Sequence, residues 1–337
     1  MSAARTSAEE LLAEVERGAE SADVESWHDA LAGREDELLA ALEHFLQRND
    51  AQSALRLTAG LQSFWMRRGR FAEGRQALER ALAAPGATEP TQARAAALAG
   101  AGMLAFRQGA NEDARAHLDE SLALARTFGD RTAEATALNG LSRVALRDGD
   151  YGELRRLALE SKAIAEESGD RRALASPIHM LAAVSRMEGK ADEARRWYES
   201  SLTLNRELGS ELMVAGELHN LGTLEKNEGQ LERAEELFRD SLARSRALGS
   251  AYLLPYNLLD FGSLAALRGD GVRAARLLAA AEAAVAATGA TFDPDDRPEF
   301  DRAVEQARAL LDEDALAAAW AEGRALPLET ALDEALA

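Results

Sequence analysis

Five histidines, His28, His44, His117, His179 and His219, are the first side chains to test for chemistry in this 337-residue chain. None forms H-E-x-x-H or another metal-ligand spacing. His179 and His219 stand forty residues apart, but a metal would need a third ligand, and no carboxylate falls in phase with them. No serine sits in a nucleophile-elbow context, no G-x-x-x-x-G-K-[ST] phosphate loop occurs, and there is no cysteine. The carboxylate pairs Glu9-Glu10, Glu166-Glu167 and Glu235-Glu236 fall on helix surfaces by phase, where solvation accounts for them. The expectation is a protein that is not an enzyme and holds no metal or cofactor.

The basic and amide side chains are patterned differently. Asn139, Arg143 and Arg147 recur at i, i+4 and i+8, a single stripe of a helix. Arg186 and Lys226 lie forty apart, as do His179 and His219. Such a row runs against a formal charge of −19, from 39 Lys and Arg and 58 Asp and Glu. A surface that acidic repels phosphate backbones and anionic lipid, so neither direct nucleic-acid binding nor a membrane partner is expected. The ordinary reading of the row is a solvated helix face paired with nearby glutamates. The sharper one is a face that recognises anions, since guanidinium groups hold carboxylate or phosphate bidentately.

What positions these residues is a repeat. Gly69, Gly109, Gly149, Gly189, Gly229 and Gly269 are spaced by forty, and Gly129, Gly169, Gly209, Gly249 and Gly289 sit halfway between. Glycine closing an apolar-periodic stretch is a helix C-terminal signal, because the left-handed conformation costs it little. Asp130, Asp170, Ser210 and Ser250 follow as N-caps. Two helices per repeat result, each about 25 Å long. First helices are expected near 93–108, 132–148, 172–188, 212–228 and 252–268, and second helices near 112–128, 152–168, 192–208, 232–248 and 272–288. Small, large and small residues recur along the second helices, as in Ala234, Phe238 and Ser241. Leu154 and Ala158 exchange those sizes in the third repeat, and Lys162 breaks the pattern. With 47% hydrophobic and 29% charged residues, few aromatics and abundant alanine, the chain reads as globular and all-α.

Asn220-Leu221-Gly222-Thr223-Leu224, followed by Ala234, Phe238 and Ser241-Leu242, resembles the tetratricopeptide repeat. The long period is similar to the subfamily in bacterial signalling ATPases (the STAND class) and LuxR-type transcriptional regulators. Trp27, Phe64-Trp65 and Glu73-Gly74-Arg75 at one end, and Trp320 to Glu329 at the other, resemble the ends of that module. The resemblance implies a right-handed α-solenoid of antiparallel helix pairs whose first helices line a concave groove. It further implies that the groove presents Met103, Phe106, Arg107, Asn139, Arg143, Leu146, Arg147, His179, Arg186, Met187, His219, Lys226, Asn227, Tyr256, Leu259 and Ser263. The ligand would be a protein or peptide, acidic by preference, or a small anionic effector. The resemblance also implies a sensing module in a regulator or signalling ATPase, without the ATPase itself. The alternative is a constitutive scaffold or self-associating protein that uses its outer helix faces.

One continuous domain is expected: divergent helical repeats over 1–90, five regular repeats over 91–290, and a helical cap over 291–337. Four short helices should occupy 1–85, with Phe45, Leu61, Phe64, Trp65 and Phe71 in the core. Cap helices should run near 299–311, 313–322 and 328–336, with Leu310, Leu316 and Trp320 facing inward. Pro177 and Pro255 fall inside predicted first helices, where a kink is the favoured outcome. The polar N-terminus predicts no secretory leader, and the longest apolar tract, 277–287, is broken by Glu282, so a cytoplasmic location is expected.

Overall fold

The computed structural model describes residues 7–19 and 24–337. No strand occurs among the described residues, and no helix there is long and apolar enough to cross a membrane. The chain divides into two compact units, residues 1–144 and 145–337. That division falls within helix α9, Arg131–Asp148, inside the regular repeats.

In the first unit, α1 (Ala8–Ala19), α2 (Val24–Leu31), α3 (Glu35–Gln47), α4 (Ala51–Gly60), α5 (Gln62–Arg68) and α6 (Phe71–Leu82) precede the regular pair α7 (Gln92–Arg107) and α8 (Asn111–Phe128). Among the described residues, six helices stand where four were expected. Gly33, at φ 83°, separates α2 from α3, and a one-residue break at Leu61, too short to interrupt the apolar pattern, separates α4 from α5. Phe45, Leu61, Phe64, Trp65 and Phe71 are all buried, as expected. In the regular part, Leu118 of α8 fills the space left by Gly102 and Gly140. A Cβ on either glycine would come within 2.6 Å of that leucine.

The second unit holds α10 (Tyr151–Ser168), α11 (Ala175–Met187), α12 (Ala191–Glu207), α13 (Glu211–Asn227), α14 (Leu231–Ala247), α15 (Leu254–Leu267), α16 (Gly271–Ala287), α17 (Arg297–Leu310), α18 (Glu313–Ala325) and α19 (Leu328–Leu336). The fold is an α-solenoid of antiparallel helix pairs with divergent ends. Every glycine of both series has a positive φ, between 56° and 84°. The recurring serine ties the two helices of a pair together. Ser121 and Ser241 each donate to a first-helix carbonyl, of Ala95 and Ala215, at 2.8 Å. Leu154 and Ala158 are both fully buried, consistent with an exchange of volumes. Lys162 is half-buried and pairs with Glu166 at 2.5 Å.

The prolines do not kink their helices. Residues 171–174 and 251–253 form turns instead, and the helices start late, at Ala175 and Leu254. Pro177 and Pro255 therefore lie in first turns, where backbone N–H groups have no intrahelical acceptor to lose. Asp170 supports the first of these turns, accepting from the amides of Arg172 and Ala173.

The cap also differs from expectation. Leu310 is 44% exposed and Leu316 only half-buried, whereas Trp320 packs inward against the core, its ring 6.5 Å from that of Phe300. Phe292, Phe300, Ala303 and Ala307 enter the core beside α15 and α16 instead. α18 lies along α16 so closely that a Cβ on Gly323 would stand 2.2 Å from the Arg276 carbonyl oxygen and 2.7 Å from its Cα. Gly323→Ala should accordingly destabilise the protein by about 1–3 kcal/mol, because backbone must move. Gly216→Ala, also mid-helix but with nothing within 4 Å, should instead be neutral or stabilising by up to about 1 kcal/mol. Urea denaturation of the two variants checks the contrast.

Candidate ligand-binding site

In the first unit the expected groove residues are partly core. Phe106 is 1% exposed and Arg107 is buried, its guanidinium carbon 5.8 Å from the Phe106 ring centre. These two pack rather than face solvent, which corrects their reading as open contacts. Met103, Asn139 and Arg143 are half-buried.

In the second unit the expected row does converge, but on the chain's own acid. α11, α13 and α15 carry it, and the segment from Thr291 into the first turn of α17 runs across all three. Arg186, its side chain 5% exposed, contacts Asp295 at 2.7 Å and Asp296 at 3.5 Å through Nη2. His219 faces Asp296 through Nε2 at 3.3 Å and Asp260 through Nδ1 at 2.8 Å. Lys226 pairs with Glu299 at 3.1 Å, and Asn227 donates to the same carboxylate at 2.9 Å. Tyr256 accepts from the backbone N–H of Asp293, while the Tyr252 hydroxyl donates to its carboxylate at 2.8 Å. Arg147 donates to the Thr291 hydroxyl at 3.0 Å. An open, unneutralised electropositive wall is therefore not what α11 and α13 present. Arg186 and Lys226 are buried against carboxylates because residues 291–299 fold back over them.

The electrostatics follow from these contacts. With a carboxylate at each ring nitrogen, both nitrogens of His219 must donate, which requires the imidazolium. Burial works against that charge, but Asp260 and Asp296 outweigh it and raise the pKa to about 10. Burial likewise opposes the Glu299 carboxylate, yet Lys226, Arg186 and the Asn227 hydrogen bond hold it at about 2. Asp295 is pushed up by burial and by adjacent Asp296, against the pull of Arg186. His179, half-buried, meets Glu217 at 3.0 Å, and Glu217 also accepts from Ser201 at 2.7 Å. Met187 is half-buried, and Leu146, Leu259 and Ser263 are buried.

Sequence reasoning missed Glu217, Asn257, Asp260, Tyr252 and the acidic segment itself. One signal was present. Glu217 and Asn257 share a repeat phase, each sixteen residues after a recurring serine, and each hydrogen-bonds that serine. Among the described residues, no group of three or more His, Asp or Glu is arranged to hold a metal.

Tetratricopeptide-repeat profiles match residues 93–153, 133–207 and 215–249. The helix pairs within those residues are similar to tetratricopeptide repeats. A Rap protein complexed with Competence and Sporulation Factor is similar in fold, with a TM-score of 0.65 at 14% identity over 93% of this chain and 85% of that one. BtubC from P. vanneervenii has a TM-score of 0.44 at 18% identity, covering 72% of this chain and 93% of its own. PilF of Pseudomonas aeruginosa has 0.41 at 20%, covering 68% and 90%. No curated protein matches the sequence. The forty-residue phase brings Arg186 and Lys226, and His179 and His219, onto the neighbouring first helices α11 and α13.

Proposed function

We propose that this chain is a non-catalytic, peptide- or protein-binding repeat scaffold whose binding face is the row of first helices α11, α13 and α15. One observation carries the reading. Side chains at equal phase on successive first helices converge on a single acidic segment, which crosses them as a loop, a turn and the start of α17. A repeat protein reads a peptide by that geometry, with one or two side chains per repeat and charge-assisted hydrogen bonds to carboxylates. The ligand is an acidic peptide or protein segment, and Arg147, His179, Arg186, Met187, His219, Lys226, Asn227 and Tyr256 form its contact set. The Rap protein of similar fold was crystallised with a bound factor, which supports the same use of such repeats. The setting implied by the sequence resemblance is the sensing part of a bacterial transcriptional regulator or signalling ATPase.

Photo-crosslinking tests this. Acidic peptides carrying a photoreactive residue should label α11, α13 and α15 in the full chain. Labelling confined to the second helices α12, α14 and α16 would contradict the proposal and favour a scaffold that works through its outer faces.

A further inference from the structure

The row of first helices is already occupied, by the chain's own residues. Resting on the reading of that row as a peptide-binding surface, we infer that residues 291–302 are a tethered competitor, occupying the carboxylate-reading site until an acidic segment of a partner protein displaces them.

Three observations carry this. First, the segment makes the contacts an acidic ligand would make: Asp295 and Asp296 on Arg186, Asp296 on His219, Glu299 on Lys226 and Asn227. Secondly, it satisfies the site poorly. Asp295 and Asp296 share one nitrogen of Arg186, while Nε and Nη1 of that buried side chain reach no carboxylate. The hydroxyl of fully buried Tyr198 lies against the same guanidinium, on the side the tethered carboxylates leave free. A carboxylate that met the guanidinium edge-on would engage two of its nitrogens in parallel hydrogen bonds, where the tethered segment engages one. Two adjacent aspartates held against one cation also repel each other, which an incoming ligand with spaced carboxylates avoids. Thirdly, the hold is of a kind that can be exchanged. At its helical end, the segment is closed by Asn227 and Arg302, both exposed, with Arg302 donating to Glu299 at 3.1 Å and to Asn227 at 3.4 Å.

Phe292 and Phe300 are buried against α15 and α16, so they anchor the tether while the carboxylates occupy the site. The partner is therefore an acidic segment bearing carboxylates spaced to reach Arg186, His219 and Lys226 together. Its apparent affinity is reduced by the fraction of time the site is closed.

The absence of cysteine allows a direct test. A fluorescent peptide copying residues 291–302 is titrated against the full-length chain in three forms. These are wild type, an opened variant (Asp295→Asn, Asp296→Asn and Glu299→Gln), and a closed form in which Asn227→Cys and Arg302→Cys are joined by a short bis-maleimide. The opened variant should bind the probe at least tenfold more tightly than wild type. The joined form should not bind it, whereas the same double-cysteine chain left unjoined should bind it through Arg186, His219 and Lys226, more weakly than wild type for want of the Asn227 amide. Adding Arg186→Met to the opened variant should reduce binding at least tenfold. If the opened variant fails to fold by circular dichroism, joined against unjoined chain decides alone. Measurable binding of equal strength by joined and unjoined chains would overturn this inference while leaving the peptide-binding reading intact. A folded, opened variant that binds no acidic peptide would overturn both.

Discussion

Replacing Arg186 by methionine should weaken the seating of the 293–299 segment by about 3–5 kcal/mol, the loss typical when one member of a buried ion pair is removed. The guanidinium lies between two carboxylates that are themselves nearly enclosed, so its loss leaves both without that cation. Coulomb repulsion between Asp295 and Asp296 then acts unscreened by their shared counter-charge. Hydrogen exchange of the Asp296, Arg297 and Phe300 amides, each hydrogen-bonded within the segment, should report the change as a loss of protection confined to it. Restoring neutrality with Asp295→Asn and Asp296→Asn in the same chain should recover most of it. Protection within about 0.5 kcal/mol of wild type in the single variant would mean that Arg186 does not hold the segment.

The pH dependence of the 145–337 unit should be the other large effect. His219 binds its proton far more tightly folded than unfolded, about 10 against 6.5. Its contribution is complete below pH 6.5 and is lost as pH rises through 10, on the order of 5 kcal/mol in total. Glu299 has the opposite sign: held at about 2 against an ordinary 4.5, it contributes fully above pH 4.5 and loses that contribution as pH falls through 2. For these two groups together, stability is greatest between about pH 4.5 and 6.5. Urea midpoints measured from pH 6 to 10 should therefore fall steadily in the wild type. His219→Gln should start lower and flatten, because no proton remains to be lost at that position. An identical slope in both proteins would contradict the assignment.

The helix pairs were legible because their signals are local. A glycine needing positive φ every twenty residues, and a small–large–small pattern on second helices, fix helix ends and packing faces without reference to distant residues. The prolines were misread for a related reason: Asp170 and Ser250 mark where a turn begins, but nothing adjacent says that the helix starts only after it. The amide of Leu254 donates to the Ser250 carbonyl, a pairing that exists only once the turn has folded. The row of Arg186, Lys226, His179 and His219 was legible as a phase. What it faces was not. Asp295 and Glu299 lie 109 and 73 residues from Arg186 and Lys226, and periodicity carries no information about a segment that leaves the repeat and folds back. Charge complementarity between a basic row and the run Asp293, Asp295, Asp296 and Glu299 was the one available hint.

A double-mutant cycle between Lys226 and Glu299 tests the central claim most directly, namely that first-helix cations hold a carboxylate-bearing segment. Lys226→Met, Glu299→Gln and the double variant are compared with wild type by urea unfolding at pH 7. The account predicts a coupling above about 1 kcal/mol, as expected for groups in one buried network. Single-variant losses that simply add, to within about 0.3–0.5 kcal/mol, would contradict it.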